Sequence, residues 1–367
     1  MPSEAQRIAL VGCGRQMKKN LLPFLRRIEG HEIAVCVDPD EALGREVQRK
    51  VEAPLWVPDI RDVAPGTIDA AVLALPPEPS YRVTSYLVET GTPCFVEKPA
   101  GPSSEALEVG RAQAREHGVW VQVGFNFRFA ETVAYLHEVS AERRKQPFTL
   151  TLDFYSRHPS VPQWGCDTTM EAWLRHNGVH PLDLARWFVG AAVTDVTAHA
   201  IPTGHDTFHA VIVLRHENAC VSILRLGNET RKFTIRVGLH CLDGTRYTMP
   251  SLERVKLAFD EGRPSGALLF TTRNLDHGWA RSGFGPELRC FVESLRAAGD
   301  GGGAGASAPG LEDALRASEL CDRILDGLAA AGDEMTASAA VGGGDGLPWA
   351  AHSDGVAGDT RTSGSAE

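Results

Sequence analysis

A short apolar run that ends at a pair of glycines sets the terms for the first half of the chain. Arg7-Ile8-Ala9-Leu10-Val11 reads as a buried strand and leads straight into Gly12-Cys13-Gly14. From Met17 to Glu29 the apolar residues Leu21, Phe24, Leu25 and Ile28 recur at helical spacing, and Glu32 to Val37 is a second strand ending at Asp38. Strand, glycine turn, helix, strand and terminal acid is the arrangement by which a doubly wound sheet holds a dinucleotide. Gly12 permits the tight turn, Gly14 lets the backbone approach a pyrophosphate at the helix N-terminus, and Asp38 is placed for ribose hydroxyls. Cys13, Arg15 and Gln16 complete the candidate cofactor turn. Met17 occupies the place of the pattern's third glycine, which predicts a looser or shifted crossing of helix over strand. Pro23 predicts a helix that starts late or bends.

The alternation then repeats. Asp40 to Val51 is predicted helical, and Ile68 to Leu75 is an apolar strand closed by Pro76-Pro77-Glu78-Pro79. Leu75 and Pro76 are expected in a loop over the cofactor. Ser80 to Thr90 is a helix ended by Gly91, and Pro93 to Val96 is a strand that stops at Glu97-Lys98-Pro99. Proline cannot continue a central strand, so Lys98 sits where a buried strand leaves its sheet, the edge at which open α/β sheets bind ligands. A lysine there can hold a cofactor ribose or pass a proton to a substrate oxygen. Ser103 to His117 and Val119 to Val123 add one more helix and strand. The expected fold of residues 1–127 is a Rossmann domain, an α/β doubly wound parallel sheet.

Beyond that point strands alternate polar and apolar residues, as in Phe148 to Tyr155, Val193 to Ala200, Thr207 to Arg215, Ala219 to Leu226 and Lys232 to Val237. Residues 128–330 are therefore expected to form an α+β domain with an open, mostly antiparallel sheet. A helical stretch, Thr169 to Phe188, carries His176, His180 and Asp183 on one predicted face. No glutamate base completes a His-Glu-x-x-His pattern there, so no metal is expected. Pro286 to Ala298 and Leu311 to Ala330 read as amphipathic helices around a Gly/Ala-rich loop, Gly301 to Gly310. Residues 331–367 are small and polar and are expected to be a disordered tail.

A net charge of −10 argues against nucleic-acid and anionic-membrane partners. The eight cysteines show no metal-ligand pairing, and several lie in apolar runs, as reduced thiols do. Met1 to Gln6 lacks an apolar signal core and no stretch is long enough to span a bilayer, so a cytoplasmic protein is expected.

Together these residues resemble the glucose–fructose oxidoreductase, inositol dehydrogenase and MocA family over roughly residues 6 to 330. Val11-Gly12-Cys13-Gly14 corresponds to its cofactor turn and Glu97-Lys98-Pro99 to its lysine motif. Gly178-Val179-His180-Pro181-Leu182-Asp183 is similar to its Gly-x-His-x-x-Asp helix. Trp187-Phe188-Val189-Gly190 and Pro286-Glu287-Leu288-Arg289-Cys290-Phe291 resemble later segments. The resemblance implies NAD as cofactor, with NADP as the alternative, and hydride transfer to or from a sugar, amino-sugar or cyclitol carbon. It implies Lys98 and His180 as acid and base, Asp183 beside them, Glu97 and Pro99 shaping the lysine turn, and a homodimer or homotetramer joined through the open sheet face. Where many sugar-oxidising members carry aspartate four residues before the histidine, this chain has His176. Imine reduction, net non-redox chemistry on bound NAD, and a cofactor sensor are the competing functions. Arg128, Trp164, His176 and Asn177 are the candidate substrate contacts, with Arg273, His277 and Trp279 in segments expected to face the cleft.

Overall fold

The computed structural model describes residues 5–204, 206–230, 232–259, 266–273, 281–299 and 308–341. His277, Trp279, most of the Gly301–Gly310 loop and the tail after Val341 lie outside the described residues. The described residues up to Leu328 form one compact unit.

Six parallel strands make the first sheet: β1 (Gln6–Val11), β2 (His31–Val37), β3 (Leu55–Val57), β4 (Ala70–Leu73), β5 (Cys94–Glu97) and β6 (Val121–Gly124). Their order, β3-β2-β1-β4-β5-β6, reverses direction of growth at β1/β4, which is where a doubly wound sheet opens its crevice. β4, β5 and β6 are buried along their whole length, as strands covered on both faces must be. The helix after β1 is shorter than its apolar spacing suggested. Met17–Leu21 form a π-helical turn that runs into α1 (Leu22–Leu25), with Pro23 in its first turn. Met17 is fully buried with Cys13, Leu21 and Leu25 in this layer's core, and the wider turn is what the missing glycine became. α2 (Glu41–Val51), α3 (Pro77–Glu89) and α4 (Ser104–His117) follow. Asp40 and Ser103 cap α2 and α4 through their side chains, and Gly118 ends α4 in the left-handed region.

The second sheet holds β7 (Phe148–Tyr155), β8 (Val193–Gly204), β9 (Thr207–His216), β10 (Val221–Gly227), β11 (Thr234–Cys241), β12 (Arg246–Ser251), β13 (Arg254–Phe259) and β14 (Ala267–Thr271). Every pairing is antiparallel except β7 with β10. Its inward residues alternate along β9 and β10: Phe208, Ala210, Ile212, Leu214, Leu224 and Leu226 are buried. Each such side chain contributes roughly 1.5–3 kcal/mol for the larger aliphatics and aromatics. β3 and β12 to β14 are short, three to six residues each, and do not stand out by periodicity; pairing with a neighbour extends the sheets through them.

Between β6 and β8, around β7, lie α5 (Glu131–Arg143), unannounced by the sequence, and the histidine-bearing stretch. That stretch is not one helix. α6 (Thr169–Trp173), a π turn (Leu174–Gly178) and α7 (Val179–Val189) divide it, and Gly190 closes it at φ 67°. α8 (Phe284–Gly299) and α9 (Leu311–Val341) finish the described chain; α9 runs past the Ala330 expected for it.

Candidate active site

The glycine turn is built by contacts that only glycine permits. Gly12 sits at φ 84°, and a Cβ there would stand 2.5 Å from the Ala74 carbonyl oxygen. Its N–H donates to Val37 O at 2.9 Å, tying β1 to β2. Asp38, 7 % exposed at the end of β2, accepts from Cys13 N at 2.7 Å with Oδ2 and from Asp40 N at 2.9 Å with Oδ1. One lone pair on each oxygen remains, which is what a ribose diol requires. Gly14 has nothing within 4 Å of where a Cβ would be, so its backbone borders open space that a phosphate can enter. Leu75 leans over the turn, with Pro76 exposed beside it. Arg15 is exposed, whereas Gln16 is drawn inward: its Nε2 donates to Glu97 Oε1 at 2.8 Å and its Oε1 accepts from Asn20 at 2.6 Å.

β5 delivers Glu97 and Lys98 to the edge of the sheet, and the Lys98–Pro99 peptide is cis. Glu97 is buried; burial raises its pKa, opposed by Lys98 and Gln16. Lys98 Nζ donates to the main-chain oxygen of His176 at 2.9 Å. Among the described residues it has no carboxylate within 4 Å. Burial pushes its pKa down to about 8, with Glu97 acting against the shift.

His180, 3 % exposed, is walled by aromatic rings: Phe127 at 4.8 Å between centroids, Phe125 and Phe154 at 6.1 Å. Burial, and then the charges of Lys98 and His176, hold its pKa well below the usual imidazole value. It is neutral at physiological pH and accepts or donates one hydrogen bond at each nitrogen. His176 is likewise held neutral by burial and by Lys98, and its ring meets Trp164 edge-to-face at 4.9 Å. Trp164 is 47 % exposed, a large apolar side chain at a cavity mouth. That cavity, about 180 Å³, is lined by Lys98, Phe125, Trp164, Glu171 and Arg175 among others.

Three expected contacts sit differently. Arg128 does not face the cleft as a substrate ligand: its guanidinium grips Asp183 through both Nε, at 2.8 Å, and Nη2, and reaches Asp313 at 2.6 Å. Asp183 is therefore a buried ion-pair partner, 1 % exposed, and not a proton-transfer group in contact with the cleft. A π turn at Leu174–Gly178 interrupts the helix between His176 and His180, while His180 and Asp183 both lie on the regular α7. Asn177 gives its amide hydrogens to Ser156 Oγ, at 3.2 Å, and to His158 O. Sequence reasoning missed Arg175 and Glu171, ion-paired at 3.0 Å, since a single helical turn of charges carries no functional signal.

A parallel sheet in this order, with a glycine turn facing an acid on the second strand, defines a dinucleotide-binding protein of the Rossmann class. Residues 6–125 match the oxidoreductase family with NAD-binding Rossmann fold. The chain is 26% identical over 219 residues to an inositol 2-dehydrogenase of Arthrobacter sp. (strain FB24), covering 57% of this chain and 64% of that one. It is 27% identical over 202 residues to a scyllo-inositol 2-dehydrogenase (NAD(+)) of Bacillus subtilis (strain 168), covering 53% and 56%. A dehydrogenase structure from Chromobacterium violaceum superposes with a TM-score of 0.80 at 26% identity, covering 92% of this chain and 99% of that one. The matched stretch, residues 6–125, is thus similar to the NAD-binding Rossmann domain of the Gfo/Idh/MocA oxidoreductases. It spans less than two thirds of the length of the two inositol dehydrogenases. The open backbone at Gly14 and the free lone pairs of Asp38 fit the dinucleotide.

Proposed function

We propose that the protein oxidises or reduces a carbon bearing a hydroxyl group on a polyhydroxylated small molecule, a sugar, amino sugar or cyclitol, with Lys98 and His180 exchanging the proton. The observation that carries this reading is Lys98: a half-buried amine, unpaired with any carboxylate among the described residues, fixed by one hydrogen bond and shifted towards neutral pH. When bound, NAD supplies the hydride acceptor or donor. Gly12, Gly14 and Asp38 would hold it, with Leu75 covering the turn. The Lys98 amine takes the hydroxyl proton in oxidation and returns it in reduction; His176 O holds the nitrogen in place. His180, neutral and locked between phenylalanine rings, is the second proton site or orients the same hydroxyl. Asp183 acts at one remove, through the helix it anchors to Arg128.

The same reading assigns cofactor binding to residues 1–127 and substrate binding to 128–330, in a cytoplasmic homo-oligomer. Support for assembly comes from the sheet face away from the inward residues, where Val211, Val213, Val221 and Ile223 are only half-buried. Lys98→Met keeps the stem and removes the proton, so turnover with a polyol panel should fall by roughly 10²–10⁴-fold. NAD affinity should stay within a few-fold of wild type. Near-normal turnover in this variant would sink the proposal.

A further inference from the structure

The cleft around Lys98 is rich in hydrogen-bond donors and poor in acceptors. Lys98 has three N–H groups and one acceptor, His176 O. Neither imidazole, His176 or His180, has a side-chain hydrogen-bond partner among the described residues, and His176 Nδ1 is buried without one. The second cation at the cavity, Arg175, is already neutralised by Glu171 at 3.0 Å and Asp322 at 2.7 Å. Glu171 is the carboxylate bordering this cavity, and it is held by Arg175 and by Asp167 N at 3.0 Å. Glu97, beneath Lys98, is held by Gln16.

A neutral polyol brings a proton on every oxygen, and each must find an acceptor once water is excluded. Beyond one nitrogen of each neutral imidazole, the groups described above offer few. A carboxylate brings acceptors alone, and it also balances a cation that no carboxylate among the described residues pairs. His176, a neutral imidazole whose backbone oxygen holds Lys98, sets no negative charge against an incoming carboxylate. Trp164 adds an exposed apolar ring beside the imidazole, suited to the C–H face of a small ring or chain.

We infer that the substrate is an anion, a sugar acid or other hydroxy acid whose carboxylate lies against Lys98 and His176; this rests on the reading of Lys98 as the cleft's proton-transfer group. The test is titration calorimetry and thermal unfolding of the NAD-saturated protein. The probes are glucuronate, gluconate and tartrate, set against glucose, sorbitol and myo-inositol at matched ionic strength. At least one acid should raise the melting temperature and bind about tenfold or more tightly than its uncharged counterpart. His176→Asp should abolish that advantage and favour the uncharged compound. His176→Asn should weaken the acid without favouring the polyol, and unchanged NAD titrations would show that both variants are folded. Binding of polyols as tight as that of the acids, no response to any acid, or an advantage that survives His176→Asp would each overturn the inference. Turnover of neutral polyols that depends on Lys98 would overturn it while leaving the oxidoreductase reading standing. Acid binding without turnover would do the reverse.

Discussion

Lys98 Nζ and the main-chain oxygen of His176 meet at 2.9 Å, joining the edge of the parallel sheet to the helix that carries His180. Pro181 has no N–H, so the wide turn before it lacks one donor and leaves a carbonyl to be satisfied from outside the helix. Because the contact is to backbone, it does not depend on which side chain stands at 176. The side chain there can change without releasing the lysine.

The pH dependence should follow Lys98. Its pKa is lowered to about 8, so the free amine that accepts a proton accumulates as pH rises through that value. The oxidation rate should climb with pH and level off above about 8. Reduction, which needs the ammonium, should decline over the same range. Initial rates in both directions would show it, and Lys98→Arg, which stays charged, should lose both limbs.

Gly12 and Gly14 should separate folding from cofactor binding. Gly12→Ala forces a Cβ against Ala74 O at a positive φ, so it should lower the melting temperature markedly. Gly14→Ala meets nothing in the protein and should leave stability unchanged. Its methyl group occupies the space left for a phosphate, so NAD affinity should drop by about tenfold or more in a fluorescence titration.

Arg128→Met should be among the most damaging substitutions outside the cleft. It leaves Asp183, fully buried, and Asp313 without their cation. A loss of about 3–5 kcal/mol in urea unfolding is expected. Adding Asp183→Asn to Arg128→Met should restore part of it, since the uncompensated charge is then removed.

Glu287 offers the opposite case. It is fully buried on α8, neither carboxyl oxygen has a hydrogen-bond partner among the described residues, and burial with the charges of Glu97 and Asp183 raises its pKa well above normal. A raised folded-state pKa means the native state holds the proton longer than the unfolded chain does. Its contribution is complete below the unfolded value and is lost as pH rises towards the folded one. Glu287→Gln supplies a neutral donor next to Gln122, whose Oε1 also lacks a partner. The variant should gain about 1–3 kcal/mol at neutral pH and little in mild acid, as measured by denaturation at both.

Local chemistry carried much of this protein into view. The β1–β2 unit, Asp38, the burial of β4 and β5 and the termination at Pro99 all follow from short-range patterns, because strands, glycine turns and prolines restrict their own neighbours. What lies between elements did not follow. The apolar period of Met17–Glu29 is compatible with an α-helix, and only packing of Met17 under the turn selects a π turn and a short α1. The spacing of His176, His180 and Asp183 suggested one continuous helix, yet a π turn at Leu174–Gly178 interrupts it, and Asp183 is taken up by Arg128. Arg128 and Asp183 are 55 positions apart, and neither carries a mark of the other. Whether a charged side chain serves a ligand or a neighbour depends on which groups lie within about 3 Å of it, a distance only the folded chain defines. Residue types and their order determined the sheet and the lysine at its edge; long-range contacts decided which of the polar residues were left unpaired for chemistry.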